Sequence, residues 1–265
     1  MSRLIDCKGR NDAWLIYWGH ECIMDQLFKA LSEGKIKAID LSHELYNGMP
    51  TYPGDPPFRH EYVRVGEKYG EVTLSRVDMG VHSGTHIDLP RHFVPGGATI
   101  EAVPVSRFIA RGYVLDLSDK KPGEAITAED LRRFGPKVAR GAAVMLYTGF
   151  SAKWGTEEFL YNWPYLSRDA ADYLAEAGVA AVGTEALSIA GYAGVPGYPY
   201  PPRVQRDDVV YVHYKLLSSG ALVIEGLTNL DKVLKECRDG EALFVFAPIK
   251  IRGGEGGPTR ALALC

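Results

Sequence analysis

The segment His82-Ser83-Gly84-Thr85-His86-Ile87-Asp88-Leu89-Pro90-Arg91-His92 constrains this chain more than any other. It gathers three of the chain's seven histidines and an aspartate around a glycine and a proline. Gly84 and Pro90 argue against a helix, so an extended path is expected. In such a path positions 82, 86, 88 and 92 share one parity and project toward one face. A straight strand would hold the α-carbons of His82 and Asp88 roughly 20 Å apart, too far for two side chains to share an ion. The chain must therefore bend, and Gly84 is the residue expected to allow it. Two imidazoles and a carboxylate brought together form a mixed nitrogen and oxygen donor set suited to Zn, Mn or Fe, with positions left open for water and substrate. The competing reading is a satisfied polar network at a strand end, with Thr85 and Arg91 as partners.

A second segment, from Val212-His213 to Ile224-Glu225-Gly226, places a glutamate directly after three apolar residues. A carboxylate at the end of a buried strand requires a partner, and a cation is the natural one. His213 upstream offers a further nitrogen. Each residue alone has a structural explanation; beside the first cluster, both become candidate ligands of a second ion.

The 265 residues are 46% apolar and 24% charged, a globular mixture that excludes a disordered chain and favours one large domain. Thirty basic residues against 33 acidic ones, without a dense Lys/Arg run, leave no support for a nucleic-acid surface. No apolar run approaches the ~20 residues of a membrane span, and Met1 to Cys7 lacks the hydrophobic stretch of a signal peptide, so a cytoplasmic location is expected. Cys7, Cys22, Cys237 and Cys265 include no CxxC pair. They are expected as buried or free thiols; Cys7 with Cys22, or Cys265 with another chain, are the disulfides considered, and none is required.

Ile23, Met24, Leu27, Phe28 and Leu31 recur at helical spacing and Gly34 can end that helix, whose apolar face is expected to dock on its own domain or a sister subunit. Residues 1–35 form this N-terminal helical extension, and 36–265 the main domain. Strands are expected at 36–41, 72–81 (with a bulge between Leu74 and Val77), 113–117, 142–147, 179–182, 209–212, 222–224 and 243–246. Thr127 and Ser167 are expected to cap helices running to Arg133 and Glu176. The prolines at 50, 53, 56 and 57 force a long loop. Interleaved strands and helices indicate an α/β or mixed α+β domain.

The chain at this point resembles the cyclase family of metal-dependent hydrolases, whose members include bacterial kynurenine formamidase and isatin hydrolase. His82, Gly84, Thr85, His86, Asp88, Pro90 and His92 meet the family motif in full. Asp40-Leu41-Ser42-His43, Met49 to Asp55, Tyr147-Thr148-Gly149, the His213 to Glu225 spacing and Gly257 to Leu264 extend the likeness over about residues 36–265. The resemblance implies that His82, His86 and Asp88 bind one metal, that Asp88 bridges to a second held by His213 and Glu225, and that His92 is the general acid/base. It also implies a single compact α/β domain of the swivelling β/β/α type, assembled as a homodimer or homotetramer. The stretch Gly183-Thr184-Glu185 through Ala190 departs from many relatives, where Gly-Ile-Asp is followed by Ser and an acidic residue.

The expected activity is metal-dependent hydrolysis of an amide-type C–N bond, in an aryl formamide, cyclic amide or lactam. One or two divalent ions per subunit, Zn or Mn, would activate water, with His92 moving the proton. The expected partner is a small aromatic or cyclic substrate. Tyr46, Tyr52, Phe58, Tyr192, Tyr198 and Tyr200 could wall its pocket or simply pack together, and Tyr52 holds the place where relatives put a substrate-side aromatic. The rivals are a metal-dependent lyase or cyclase acting on a carbonyl substrate, and a non-catalytic metal-binding protein, in which His92 would have no use.

Overall fold

The computed structural model describes residues 23–265. Helix α1 (Ile23–Ser32) opens it, and Gly34 follows with φ +66°. Cys7 and Cys22 lie outside the described residues. Next come β1 (Ala38–Asp40), β2 (Arg59–Arg64), β3 (Leu74–Asp78), β4 (His86–Asp88), β5 (Ile109–Asp116) and β6 (Ala125–Ile126). Then follow α2 (Ala128–Arg132), β7 (Ala143–Tyr147), β8 (Tyr165–Leu166), α3 (Arg168–Ala177), β9 (Ala181–Thr184) and α4 (Arg206–Ser218). The chain closes with β10 (Leu222–Glu225), α5 (Leu230–Glu236), β11 (Glu241–Val245), β12 (Gly256–Pro258) and β13 (Leu262–Leu264).

The main sheet has nine strands in the order β1-β13-β11-β5-β7-β9-β10-β4-β12. Its centre, β5-β7-β9-β10, is parallel, and antiparallel strands extend it on both sides. Side-chain alternation along each strand divides the core into two layers. Met145, Ile224 and Ile87 join α5 on one face; Val144, Val182 and Val223 meet Leu174 of α3 and Val209, Val212 and Leu216 of α4 on the other. This is the single-domain α/β architecture expected, and its phase positions the polar residues. Because Ile87 and Ile224 face the α5 layer, His86 and Asp88 on β4 and Glu225 on β10 face the α4 layer.

The sequence reading needs correction at three places. Residues 209–212 are not a strand but part of α4, despite the β-branched run. Val209, Val212 and Leu216 are buried at helical spacing, and Gln205 with Asp208 forms a capping box, so tertiary packing and the cap override local propensity. The irregularity expected within 72–81 lies on the partner strand, where the β2–β3 register shifts between Tyr62 and Arg64. Cys237 and Cys265 form an intrachain disulfide instead of remaining thiols. It pins the chain end, whose backbone pairs with Lys37 beside β1, to the residue following α5.

Of the two expected caps, one forms with its side chain and the other by position alone. Thr127 accepts from Asp130 N–H in a capping box. Ser167 occupies the cap position of α3, but its hydroxyl donates to the Ile126 carbonyl instead. The β2–β3 hairpin stands off the body with Tyr62, Val63, Val65, Val72, Leu74 and Val77 all more than half exposed. On α1, Leu27, Phe28 and Leu31 are exposed, so among the described residues these apolar side chains are not buried on the domain. Among the described residues no helix is long and apolar enough to cross a membrane.

A disulfide spanning a sequence separation of 28 should contribute to stability mainly by restricting the unfolded chain. Cys237→Ala should therefore cost about 3 kcal/mol, read as a lower Tm by calorimetry. An unchanged Tm in the variant and in reduced wild type would show that the bridge does not constrain the chain.

Candidate metal centre

The site forms where the parallel strands end, the usual crevice of an α/β sheet. The chain turns at Gly84, with φ +62°, and so brings His82 back over β4 as the sequence requires. His82 Nδ1 lies 2.8 Å from Asp88 Oδ1. Antiparallel pairing sets His86 directly opposite Glu225, and Asp88 opposite Val223. On the other side of β4, Gly256 pairs with Asp88, and a β-carbon there would lie 2.5 Å from His82 Cε1. A bare glycine at 256 is what leaves His82 room to reach Asp88. His213, two turns into α4, supplies the remaining nitrogen from above.

Two overlapping groups result, His82-His86-Asp88 and Asp88-His213-Glu225, each with ligand atoms within 4.8 Å of one another. Asp88 belongs to both. Its Oδ1 is 3.6 Å from His86 Nε2 and its Oδ2 is 4.0 Å from His213 Nε2. Glu225 Oε2 is 3.4 Å from His86 Nε2, and Oε1 is 3.4 Å from His213 Nε2. Neighbouring groups fix the ring orientations. His86 Nδ1 donates to the Gly84 carbonyl at 2.9 Å, and His213 Nδ1 to the Val209 carbonyl at 2.8 Å. In the neutral rings both Nε2 lone pairs then face carboxylate oxygens, an arrangement that a cation between them makes favourable.

The donor set fits a divalent ion. Asp88 and Glu225 are 1% and 4% exposed, and desolvating two adjacent carboxylates costs several kcal/mol for each unless opposite charge compensates. His82 Nε2, His86 Nε2 and Asp88 Oδ2 are buried without a hydrogen-bond partner. Burial works against charge on His82, yet the Asp88 carboxylate raises it to about 9, which reports how negative the pocket floor is.

His92 stands beside these groups without belonging to either. It sits on the 3₁₀ turn Pro90–His92, its ring stacked on His82 at a centroid distance of 4.0 Å and 6.2 Å from the His213 ring. Burial pushes it down to about 4, so the imidazole is neutral near pH 7. A cavity of about 210 Å³ opens over the cluster, lined by Tyr52, Asp55, His82, His92, Phe93, Leu187, Ser188, Arg206, Val209, His213 and Glu225. Burial also pushes the Tyr52 phenol up to about 12, keeping it a neutral donor.

All seven residues singled out from the sequence thus converge. Of the other aromatics, Phe58 and Tyr192 are buried, while Tyr198 and Tyr200 line an adjoining cavity of about 380 Å³ that shares Tyr52 and Asp55 with the first. Glu185, in the stretch that departs from many relatives, faces away from the centre. It accepts from Thr148 N–H at 2.8 Å, Thr148 Oγ1 at 3.0 Å, Phe150 N–H at 3.1 Å and Ser151 Oγ at 2.7 Å, holding the loop after β7. Ile189 N–H, in the same stretch, donates to Glu225 Oε1 at 2.6 Å. The sequence reading assigned no role to Asp55, Ser188 and Arg206. Asp55 closes the quoted Met49 to Asp55 segment and Ser188 lies in the quoted Gly183 to Ala190 stretch; Arg206 carries no local signal.

Gly256→Ala should force the His82 ring away from Asp88. The expected result is a loss of roughly 10- to 100-fold in divalent-ion affinity, measured by competition with a chelator, in a protein that still folds. Unchanged affinity would mean that His82 does not contribute through this position.

Residues 39–190 match the family model described as Putative cyclase. The kynurenine formamidase of Bacillus cereus is 28% identical over 224 residues, covering 84% of this chain and 95% of that protein. Among solved structures, isatin hydrolase A from Ralstonia solanacearum superposes with a TM-score of 0.77 at 25% identity, covering 93% of this chain and 98% of that one. A chain described as a predicted metal-dependent hydrolase from Bacillus stearothermophilus gives a TM-score of 0.65 at 30% identity, covering 86% of this chain and 98% of that one. The nine-stranded sheet and the matched motif segment therefore carry one conclusion: the chain belongs to the cyclase family.

Proposed function

We propose that this protein is a metal-dependent hydrolase of an amide-type C–N bond in an aryl formamide, cyclic amide or lactam. The observation that carries the reading is the pair of buried carboxylates shared with three imidazoles under an open cavity, with His92 beside them. His82, His86 and Asp88 would hold one ion; Asp88, His213 and Glu225 would hold a second. The mixed imidazole and carboxylate set suits Zn or Mn. A bound divalent ion supplies Lewis acidity, polarising a carbonyl and bringing the pKa of water toward neutrality.

The chain's own groups do the rest. His92, neutral and next to His82, accepts the proton of the attacking water and returns it to the departing nitrogen. Tyr52 donates from the cavity wall and orients the substrate. Phe93, Leu187 and Val209 present apolar surface to a planar ring. The catalytic unit is residues 36–265, with 1–35 an accessory extension. Assembly as a homodimer or homotetramer would cover the exposed apolar residues of the β2–β3 hairpin and of α1.

The direct test is turnover of an aryl formamide and a lactam in ¹⁸O-water, before chelation, after it, and after metal return. Hydrolysis places one labelled oxygen in the carboxyl product; a product without label would assign a lyase or cyclase. His92→Ala should keep its metal and its fold while kcat falls roughly 10²- to 10⁴-fold with KM little changed. Stoichiometric metal loss would make His92 a ligand, and full activity would leave it without a role.

A further inference from the structure

Two charged residues on the cavity wall, Asp55 and Arg206, have no side-chain partner among the described residues, and Arg206 is the cation of the two. Arg206 opens α4, and Arg206, Val209 and His213 follow one another at helical spacing along the face that lines the cavity. His213 reaches the metal centre, Val209 is apolar wall, and Arg206 stands at the far end, about 10 Å along the helix axis from His213. Among the described residues the Arg206 side chain makes no ion pair and no hydrogen bond. Its neighbours on α4 are engaged: Asp208 with Arg168, and Lys215 with Asp172.

Charges of both signs line the cavity. Burial sets the Tyr52 phenol high, and of the charges acting on that phenol Arg206 comes first. Asp55, the acidic residue on the same wall, has its carboxyl raised by burial and opposed by His82 and His86, with no contribution from Arg206. Asp55 also acts on the Tyr52 phenol, and its N–H donates to the Tyr52 carbonyl at 3.0 Å, so the acid borders both the histidines and Tyr52 while Arg206 acts on Tyr52 alone of these groups. A guanidinium at one end of a small cavity, with apolar wall between it and the reacting centre, is built to take a planar anion.

We propose that Arg206 is a specificity-determining residue that binds a carboxylate on the substrate, so that this protein selects aryl amides bearing an acid group across the ring from the scissile bond. The proposal rests on the amide hydrolase reading of the same site. The cavity of about 210 Å³ over the centre takes one ring, and the adjoining cavity that shares Tyr52 and Asp55 leaves room beyond it. A neutral amide of the same shape leaves the guanidinium in water, which costs nothing, so the acid group contributes preference and not chemistry.

The test compares 4-formamidophenylacetate with its methyl ester, which removes the charge and adds one methyl group, so the Arg206 variants and not the ester alone carry the decision. With the metal-loaded full-length protein, kcat/KM for the acid should exceed that for the ester at least tenfold. Arg206→Gln should collapse this ratio, chiefly by raising KM for the acid, and Arg206→Lys should retain part of it. In parallel, calorimetric affinity for 4-aminophenylacetate should fall at least tenfold in Arg206→Gln while its metal content matches wild type. An equal preference in wild type, or a ratio unchanged in Arg206→Gln, overturns the proposal. If neither formamide is cleaved, the aryl formamide part of the hydrolase reading is what fails. The calorimetric arm then decides alone: weaker acid binding in Arg206→Gln supports the anion site, and equal binding removes it.

Discussion

Asp88 and Glu225 lie on adjacent antiparallel strands, almost wholly removed from water, with three imidazole rings close by. Two carboxylates cannot be held together in such a place by packing alone, because each loses several kcal/mol of hydration and each repels the other. A divalent cation reconciles the arrangement. Around that requirement the surrounding hydrogen bonds are consistent. Gly84 and Val209 carbonyls orient His86 and His213, Ile189 N–H holds Glu225, and Gly256 leaves room for His82.

The sheet makes this convergence possible. Strand alternation turns Ile87 and Ile224 into one core layer, so that His86, Asp88 and Glu225 must share the opposite face. Helix α4 then packs on that face through Val209, Val212 and Leu216, which brings His213 down onto the carboxylates and sets Arg206 at the other end of the cavity. One helix thus connects the hydrophobic core, the metal centre and the proposed substrate selector. The aromatic cluster of Phe150, Phe159, Trp163 and Tyr192 supports the Tyr52 wall across from it.

Much of the site could be read from the chain because its donors lie close in sequence. His82 to His92 is a single segment, and the bend it needs falls at Gly84 as its own geometry demands. His213 and Glu225 were legible as candidates, but their setting was not. The Val209 to Val212 run has strand composition, and contacts with distant residues on β7, β9 and β10, together with the Gln205 and Asp208 capping box, decide for helix. The β2 strand was missed because the hairpin is exposed on both faces and so shows no clean alternation. The disulfide depended on β13 meeting the end of α5, which spacing alone does not encode. Arg206 has no motif; its meaning comes from the cavity around it.

The most direct test of this account is the divalent-metal content of the purified protein, by inductively coupled plasma mass spectrometry, followed by calorimetric titration of the chelated protein with Zn and Mn. The account predicts at least one tightly bound ion per chain, with binding lost when Asp88, the carboxylate common to both groups, becomes Asn. A folded protein that neither retains nor rebinds a stoichiometric divalent ion would contradict it, because the buried carboxylates would then be stable without the charge on which the rest of the argument depends.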